Sequence, residues 1–194
     1  MEPDHVAMKN GLGMYDLDKK LNKISMIGFM ATGKTKNSIL LSQLLNRPAI
    51  DSDEMIVEKE NKTIPEIFEK HGEPYFRDLE KNTLKQIFEM NGSHIISCGG
   101  GIVVNQENRN YLRSQSLVIW LFASPEAIVA RLKPGKRPLL EVADPLAKAK
   151  ELLGQRLHYY AQTADILIST ERNLKELTTE KIYDEINKTF GNKW

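Results

Sequence analysis

The stretch Gly28-Phe-Met-Ala-Thr-Gly33-Lys34-Thr35 decides the fold of this chain. Its spacing matches G-x-x-x-x-G-K-[ST], the pattern of a loop that binds nucleotide phosphates. The loop follows a short apolar run, residues 24–29, and opens a segment whose apolar residues recur at helical spacing. In this arrangement the backbone N–H groups and the helix N-terminus all point at the phosphates. An ordinary glycine turn before a helix is the alternative, and the strand and helix on either side make it the weaker one.

The residue types in this loop suit a nucleotide and a divalent cation. We expect Lys34 to neutralise the β- and γ-phosphates of ATP and the Thr35 hydroxyl to help hold Mg²⁺. The residues expected to contact ATP here are Gly28, Met30, Ala31, Thr32, Gly33, Lys34, Thr35 and Lys36. The motif alone does not separate kinases from GTPases and ATPases. The chain lacks the N-K-x-D sequence of GTPases, and its shortness favours a small-molecule kinase.

The composition limits the remaining classes of function. With 194 residues, 41% of them hydrophobic, the chain can bury one sizeable core. A formal net charge of +1 argues against a general nucleic-acid or membrane-surface binder. The one cysteine, Cys98, fits a reducing compartment, and no apolar run is long enough to cross a bilayer. We therefore expect a cytoplasmic protein, and a monomer, because no apolar stripe is left over once the core is assigned.

Strand and helix patterns alternate along the chain. Strands are predicted at residues 24–29, 49–51, 94–97, 117–122 and 166–168. Helices are predicted from Lys34 to before Pro48, over 53–90 in pieces, and at 125–132, 146–162 and 174–190, with a capping box at Thr63–Glu66. This alternation predicts an α/β fold with a parallel sheet and helices on both faces. Residues 1–22 are polar and aperiodic, which predicts a loosely ordered tail with a short helix near Tyr15–Leu21, before a folded domain at 23–194.

Several candidate residues follow the predicted strands, where parallel sheets bind their ligands. Asp51 and Asp53 would point to opposite sides of an extended chain, so that one faces Mg²⁺ through water and the other faces an acceptor hydroxyl. A helix N-cap is an equally good explanation of these two acids. Three consecutive glycines, 99–101, would let a ligand approach bare backbone.

The arginines have two explanations each. Arg77 and Glu80 form either a solvated ion pair or an arginine held in place for a substrate carboxylate. Arg156 lies four residues before Tyr160 on one predicted helix face. Arg131, Lys133, Lys136 and Arg137 form a basic stretch, and the sequence Arg137-Pro138-Leu-Leu140 favours a lid that closes over ATP rather than a solvated loop.

Taken in order, these motifs resemble the shikimate kinases from about Ile24 to Ser169. The resemblance rests on the phosphate-binding loop, D-S-D at 51–53, F-R-x-x-E at 76–80, S-C-G-G-G at 97–101, R-P-L-L at 137–140 and R-x-x-x-Y at 156–160. It implies a three-layer α/β/α P-loop kinase fold with a five-stranded parallel core sheet and a mobile lid at about 131–143. It also implies transfer of the γ-phosphoryl group of ATP to the 3-hydroxyl of shikimate, giving shikimate 3-phosphate and ADP in chorismate and aromatic amino-acid biosynthesis. One Mg²⁺ per subunit would be the cofactor, with no nucleic acid or membrane as partner.

The resemblance also assigns roles by position. It implies that Lys34, Asp53 and Arg137 are catalytic, with Asp53 acting as base or hydroxyl orienter and Arg137 belonging to the lid. The substrate would be bound by Asp53, Arg77, Glu80, Gly99, Gly100, Gly101 and Arg156. The metal would lie near Thr35, Asp51 and Ser97, and the nucleotide would also meet Arg131, Arg137 and Arg172.

Two positions depart from the family pattern, which usually has glycine at Ala31 and often has proline near Leu174. If Ala31 needs a positive φ, its methyl group costs about 1 kcal/mol or more, and we expect weaker ATP binding at most. Two alternatives stay open: a kinase for another small acceptor, such as gluconate, and a degenerate kinase fold that only binds its ligands. Lys34, Asp53 and Arg137 are all present, which favours an active kinase.

Overall fold

The computed structural model describes residues 17–132, 138–140, 142–171 and 175–191. Its centre is a five-stranded parallel sheet in the order β2-β3-β1-β4-β5. The strands are β1 (Lys23–Ile27), β2 (Ala49–Asp51), β3 (His94–Ser97), β4 (Leu117–Phe122) and β5 (Ile166–Ser169). The helices are α1 (Leu17–Asn22), α2 (Lys34–Leu45), α3 (Ser52–Glu60), α4 (Ile64–Glu89), α5 (Gln106–Gln115), α6 (Pro125–Ala130), α7 (Pro145–Thr163) and α8 (Lys175–Phe190). Short 3-10 helices span Ile102–Val104 and Pro138–Leu140.

Helices cover both faces of the sheet, which confirms the predicted three-layer α/β architecture. On one face, Val118 and Trp120 of β4 pack in a core cluster with Leu84 of α4, Leu112 of α5 and Tyr160 of α7. On the other face, alternate residues of the same strands pack against α1, α2 and α8; this second cluster includes Ile24, Met26, Ile119, Leu21, Leu41 and Ile182. A strand buried on both faces reads as a continuous apolar run, which is why β4 was predicted without error in its bounds.

The strand register brings the predicted site to one edge. Asp51 pairs with Ser97 across β2 and β3, and Ser97 pairs with Met26 across β3 and β1. Since all the strands are parallel, the segments that follow β1, β2 and β3 begin side by side at the carboxyl edge of the sheet.

The structure adds one helix to the predicted elements and gives the detail of two others. Helix α5 was not predicted, although Asn105 accepts hydrogen bonds from the N–H groups of Glu107 and Asn108 and so caps it. Helix α4 has its predicted capping box, and its interruption at Gly72, where φ is 78°, agrees with the prediction that residues 53–90 are helical in pieces. The short helix predicted near Tyr15–Leu21 is present as α1, and its end packs on the folded part, because Leu21 is 5% exposed in the core and Lys20 pairs with Asp165 at 2.6 Å. Within the described residues, no helix is both long and apolar enough to cross a membrane.

Candidate active site

The phosphate-binding loop connects β1 to α2 in the way that the motif predicts. Gly28 has a φ of 143°, and a Cβ at this position would lie 2.3 Å from the Leu121 carbonyl oxygen, so only glycine fits. The Lys34 Nζ donates hydrogen bonds of 2.9 Å to the carbonyls of Gly28 and Phe29. The ammonium group therefore lies against the phosphate-binding loop, where we expect it to contact the phosphates of the nucleotide.

Ala31 adopts the backbone conformation on which its expected cost depends. Its φ is 60°, in the left-handed region that disfavours residues with a Cβ by about 1 kcal/mol or more. Its carbonyl accepts a hydrogen bond from Arg131 Nη1 at 3.4 Å. The loop thus keeps its shape despite the methyl group, with strain stored at one residue.

Three oxygen-bearing side chains meet beside the start of α2. The Thr35 hydroxyl donates to Asp51 Oδ2 at 2.8 Å and lies 3.2 Å from the Ser97 hydroxyl. Asp51 Oδ1 accepts from the N–H of Asp53 at 3.0 Å and from that of Glu54 at 3.4 Å. Asp51 is therefore a helix cap through one oxygen and faces Thr35 through the other, so the helix-cap explanation is confirmed and the metal role of Asp51 stays a prediction. One carboxylate and two hydroxyls are hard oxygen donors, and they fit a Mg²⁺ ion that keeps several waters.

The geometric argument that separated Asp51 from Asp53 was wrong. Helix α3 begins at Ser52, so the two acids do not alternate along an extended strand. Asp51 ends β2, whereas Asp53 lies in the first turn of α3 and lines a cavity beside the phosphate-binding loop. The two carboxylates still face different groups, since Asp51 contacts Thr35 and Asp53 lines the cavity, but it is the start of α3 that separates them.

That cavity has a volume of about 450 Å³ and brings together most of the predicted acceptor residues. Asp53, Arg77, Glu80 and Arg156 all line it, although they come from α3, α4 and α7. Gly100, Gly101 and Met30 line it as well. The rest of its wall is largely apolar and was missed by the sequence analysis: Val57, Thr63, Ile64, Pro65, Phe68, Phe76 and Leu139. The capping box at Thr63 was the available signal, since it places the start of α4 at this wall.

Arg77 is held by two carboxylates. Its Nη1 donates to Glu80 at 2.5 Å, and its Nε and Nη2 donate to Glu73 at 3.0 and 2.7 Å. Glu80 is 1% exposed, and burial raises its pKa to about 7, although the positive charge of Arg77 acts in the opposite direction. The carboxylate of Asp53 raises the pKa of Glu80 further. Arg77 and Glu80 thus form the predicted ion pair, but the pair is not solvated at the surface, because Glu80 is buried and both residues line the cavity.

The three glycines after β3 are explained by the protein's own side chains. A Cβ at Gly99 would lie 2.4 Å from Asp53 Oδ1 and 2.9 Å from Glu80 Oε1. A Cβ at Gly101 would lie 2.0 Å from Arg77 Nη1, whereas one at Gly100 would meet nothing closer than 3.5 Å. Two of the glycines are therefore needed so that the charged side chains can reach the cavity, before any ligand is considered.

The expected adenine end is described in part. Arg131 donates to the Thr170 carbonyl at 2.5 Å and to the Glu171 carbonyl at 3.1 Å, besides its bond to Ala31. It thereby ties the end of β5 to the phosphate-binding loop, and its stacking on adenine stays a prediction. Lys36 is exposed in the first turn of α2. Arg137 and Arg172 lie outside the described residues, as does most of the basic stretch of the predicted lid.

Comparison with known proteins gives one consistent answer. A family model described as shikimate kinase matches residues 30–187. A shikimate kinase of Dehalococcoides mccartyi is 39% identical over 171 residues, covering 88% of this chain and 96% of that protein. One of Deinococcus radiodurans is 34% identical, covering 86% of this chain and 84% of that protein. The structure of the Acinetobacter baumannii shikimate kinase in complex with shikimate superimposes with a TM-score of 0.84 at 32% identity, covering 90% of this chain and 97% of that one.

Proposed function

The chain belongs to the shikimate kinase family, and on that premise we propose that shikimate binds in the cavity between Asp53 and the two arginines, Arg77 and Arg156. The chain is an ATP-dependent kinase of the shikimate pathway. The observation that carries the proposed site is the junction of this cavity with the phosphate-binding loop, since Met30 of the loop is part of the cavity wall.

The charge distribution of the cavity supports this orientation of the substrate. Shikimate carries one carboxylate and several hydroxyls. Arg77 and Arg156 offer N–H donors for the carboxylate, and planar guanidinium groups bind carboxylates in a bidentate manner. Asp53 offers a hydrogen-bond acceptor for ring hydroxyls. The apolar wall from α3 and α4 would cover the ring carbons.

Glu80 and Glu73 would keep Arg77 in position without saturating it. Their bonds use Nη1 on one side and Nε with Nη2 on the other, and a guanidinium has five N–H donors. At least two donors thus remain for a substrate carboxylate. Such holding reduces the conformational entropy that binding would otherwise cost.

The phosphoryl transfer would then proceed by positioning and charge stabilisation. Asp53 orients the 3-hydroxyl and accepts its proton as the oxygen attacks the γ-phosphorus. Lys34 stabilises the negative charge on the γ-phosphoryl oxygens during the transfer, and the backbone N–H groups of residues 28–35 bind the β-phosphate. The O–P bond to ADP breaks as the new bond forms, which leaves shikimate 3-phosphate. Arg137 is proposed as a further cation at the transferring group, on the sequence alone.

We include one Mg²⁺ in this proposal because the donor set fits it. Thr35 would hold the ion directly, Asp51 would bind it through water, and Ser97 would stay close to both. A divalent cation supplies charge neutralisation for the β- and γ-phosphates. A monomeric state and a cytoplasmic location stay predictions.

The proposal is tested by ADP release from Mg·ATP with and without shikimate. We expect strong shikimate dependence in the wild type and a loss of at least a hundredfold in kcat for Asp53→Asn, in the range that general base catalysis contributes. Asp78→Asn, an exposed residue of α4, is the matched control and should leave the rate unchanged. Turnover without shikimate dependence, or an Asp53→Asn variant as fast as the control, would contradict the assignment.

A further inference from the structure

The carbonyls of the glycine segment, residues 99–101, have different hydrogen-bond partners. The Gly99 carbonyl accepts from the Ile102 N–H at 3.2 Å, and the Gly101 carbonyl accepts from the Val104 N–H at 2.9 Å. These are local bonds within the turn that follows β3. The Gly100 carbonyl instead accepts from the Tyr160 hydroxyl at 2.6 Å, across sixty residues of sequence. The middle peptide therefore depends on a contact from helix α7.

Tyr160 is itself rigidly held. Its side chain is completely buried, and its ring stacks on Trp120 of β4, with ring centres 5.6 Å apart and planes 19° apart. Burial raises the pKa of the phenol, although the adjacent Arg156 acts in the opposite direction. The hydroxyl accordingly keeps its proton and stays a hydrogen-bond donor at any pH at which the enzyme would work.

The glycine segment has little freedom to move without disturbing the cavity. Gly99 leaves room for Asp53 and Glu80, and Gly101 leaves room for Arg77, with clearances that a methyl group would eliminate. Gly100 joins these two residues and lines the cavity. A shift of the Gly100 peptide would thus change the position of three charged side chains at once.

We propose that Tyr160 is a positioning residue for the acceptor, which fixes the Gly100 peptide, so that Asp53 and Arg77 on either side of it are in place before the substrate arrives. Tyr160 acts through other residues and does not itself touch the substrate. This inference rests on the proposed function, because it assumes that shikimate occupies the cavity.

The consequence is specific to one substrate. Tyr160→Phe keeps the ring and its stack on Trp120 but removes the donor to the Gly100 carbonyl. We expect the shikimate Kd and KM to rise about tenfold, because binding must then supply the ordering of the Gly100 peptide that this hydrogen bond provides in the free protein, and one buried hydrogen bond corresponds to roughly that factor. The KM for ATP should change by less than twofold, because the phosphate-binding loop keeps all its own hydrogen bonds.

Thr163→Val is the matched control for Tyr160→Phe. Thr163 lies one turn further along α7, is 1% exposed, and donates to the Tyr159 carbonyl at 2.6 Å, but it does not line the cavity. It therefore loses a buried hydroxyl and a bond of the same length. We expect a comparable loss of thermal stability in both variants, and an unchanged shikimate Kd in Thr163→Val alone.

Calorimetric titration with shikimate and steady-state kinetics for both substrates decide the matter. If the wild type and Tyr160→Phe bind shikimate equally well, this inference alone is overturned. It is also overturned if Thr163→Val weakens shikimate binding as much as Tyr160→Phe does, or if the KM for ATP rises in parallel. A wild type that does not bind shikimate would overturn the proposed function as well.

A second variant serves if Tyr160→Phe does not fold. Trp120→Phe reduces the surface on which the Tyr160 ring stacks and keeps the Tyr160 hydroxyl, and a rise of about threefold in the shikimate Kd is then expected from the weakened aromatic pair. No rise would overturn the inference.

Discussion

The burial of Glu80 predicts that the protein becomes less stable as the pH rises towards 7, whereas an ion-paired carboxylate usually makes a protein more stable as the pH rises. Burial raises its pKa to about 7, so the folded protein holds this proton over a range of pH in which the unfolded chain has released it. An ordinary glutamate releases its proton near pH 4.3. Between these two values the folded state binds more protons than the unfolded state, so the free energy of unfolding falls as the pH rises.

The size of the effect follows from the shift. A difference of between two and three pKa units corresponds to about 3 kcal/mol, at 1.36 kcal/mol per unit. This contribution is fully present below the unfolded pKa and is lost once the pH exceeds about 7. Glu80→Gln carries no titrating group and resembles the protonated carboxyl. Relative to the wild type, the variant should therefore gain up to about 3 kcal/mol of stability between pH 5 and pH 8.5.

Urea unfolding of both proteins at several pH values measures this difference. Comparing the two proteins at each pH cancels the contributions of the histidines and of the other carboxylates. Glu107→Gln is the control, because Glu107 pairs with Lys81 at 2.6 Å on the surface with 60% of its side chain exposed. Parallel stability curves for the wild type and Glu80→Gln would refute the reasoning, whatever their absolute separation.

Three further predictions concern the loop and the glycine segment. Ala31→Gly should tighten ATP binding by no more than about fivefold, because it relieves roughly 1 kcal/mol of backbone strain; a tenfold gain in kcat with unchanged affinity would contradict this. Gly101→Ala should raise the shikimate KM by more than a hundredfold, since its methyl group would lie 2.0 Å from Arg77 Nη1. The Kd for ATP, measured by calorimetric titration, should remain close to the wild-type value. A shikimate KM equal to that of the wild type would show that Arg77 or the glycine segment moves aside without cost, and would contradict this prediction. Thr35→Ala should raise the Mg²⁺ concentration needed for half-maximal rate at least tenfold, by loss of a direct ligand. Thr83→Ala removes the hydroxyl of a buried threonine in α4 and should leave this Mg²⁺ concentration unchanged; equal Mg²⁺ dependence in both variants would exclude Thr35 as a ligand.

Local sequence was sufficient wherever neighbouring residues form the structure. The phosphate-binding loop, the capping box at Thr63, and the bounds of β3 and β4 could all be recognised from patterns of residues close together in the sequence. Backbone hydrogen bonds, glycine geometry and continuous apolar runs encode such features directly. The same is true of the fold class, because alternating strands and helices can pack in few ways.

Sequence patterns were less informative where packing selects among similar residues. Ile39 and Leu44 of α2 are 48% and 53% exposed, whereas Asn37 and Ser38 on the same helix are buried. Asn37 accepts a hydrogen bond from Thr179 of α8, a contact that only the docking of the two helices creates. The apolar wall of the cavity likewise comes from the placement of α3 and α4 over the sheet edge.

The active-site geometry itself was decided by tertiary structure. Glycines 99 and 101 were attributed to the approach of a ligand, yet the side chains that need their space are Asp53, Glu80 and Arg77, from two other elements. Tyr160 was noticed for its spacing from Arg156, but its hydroxyl acquires a role only because α7 brings it to the Gly100 carbonyl. Contacts between residues twenty to sixty positions apart have no local signature. Their energies depend on distance and burial, and these exist only once the sheet and its helices are assembled.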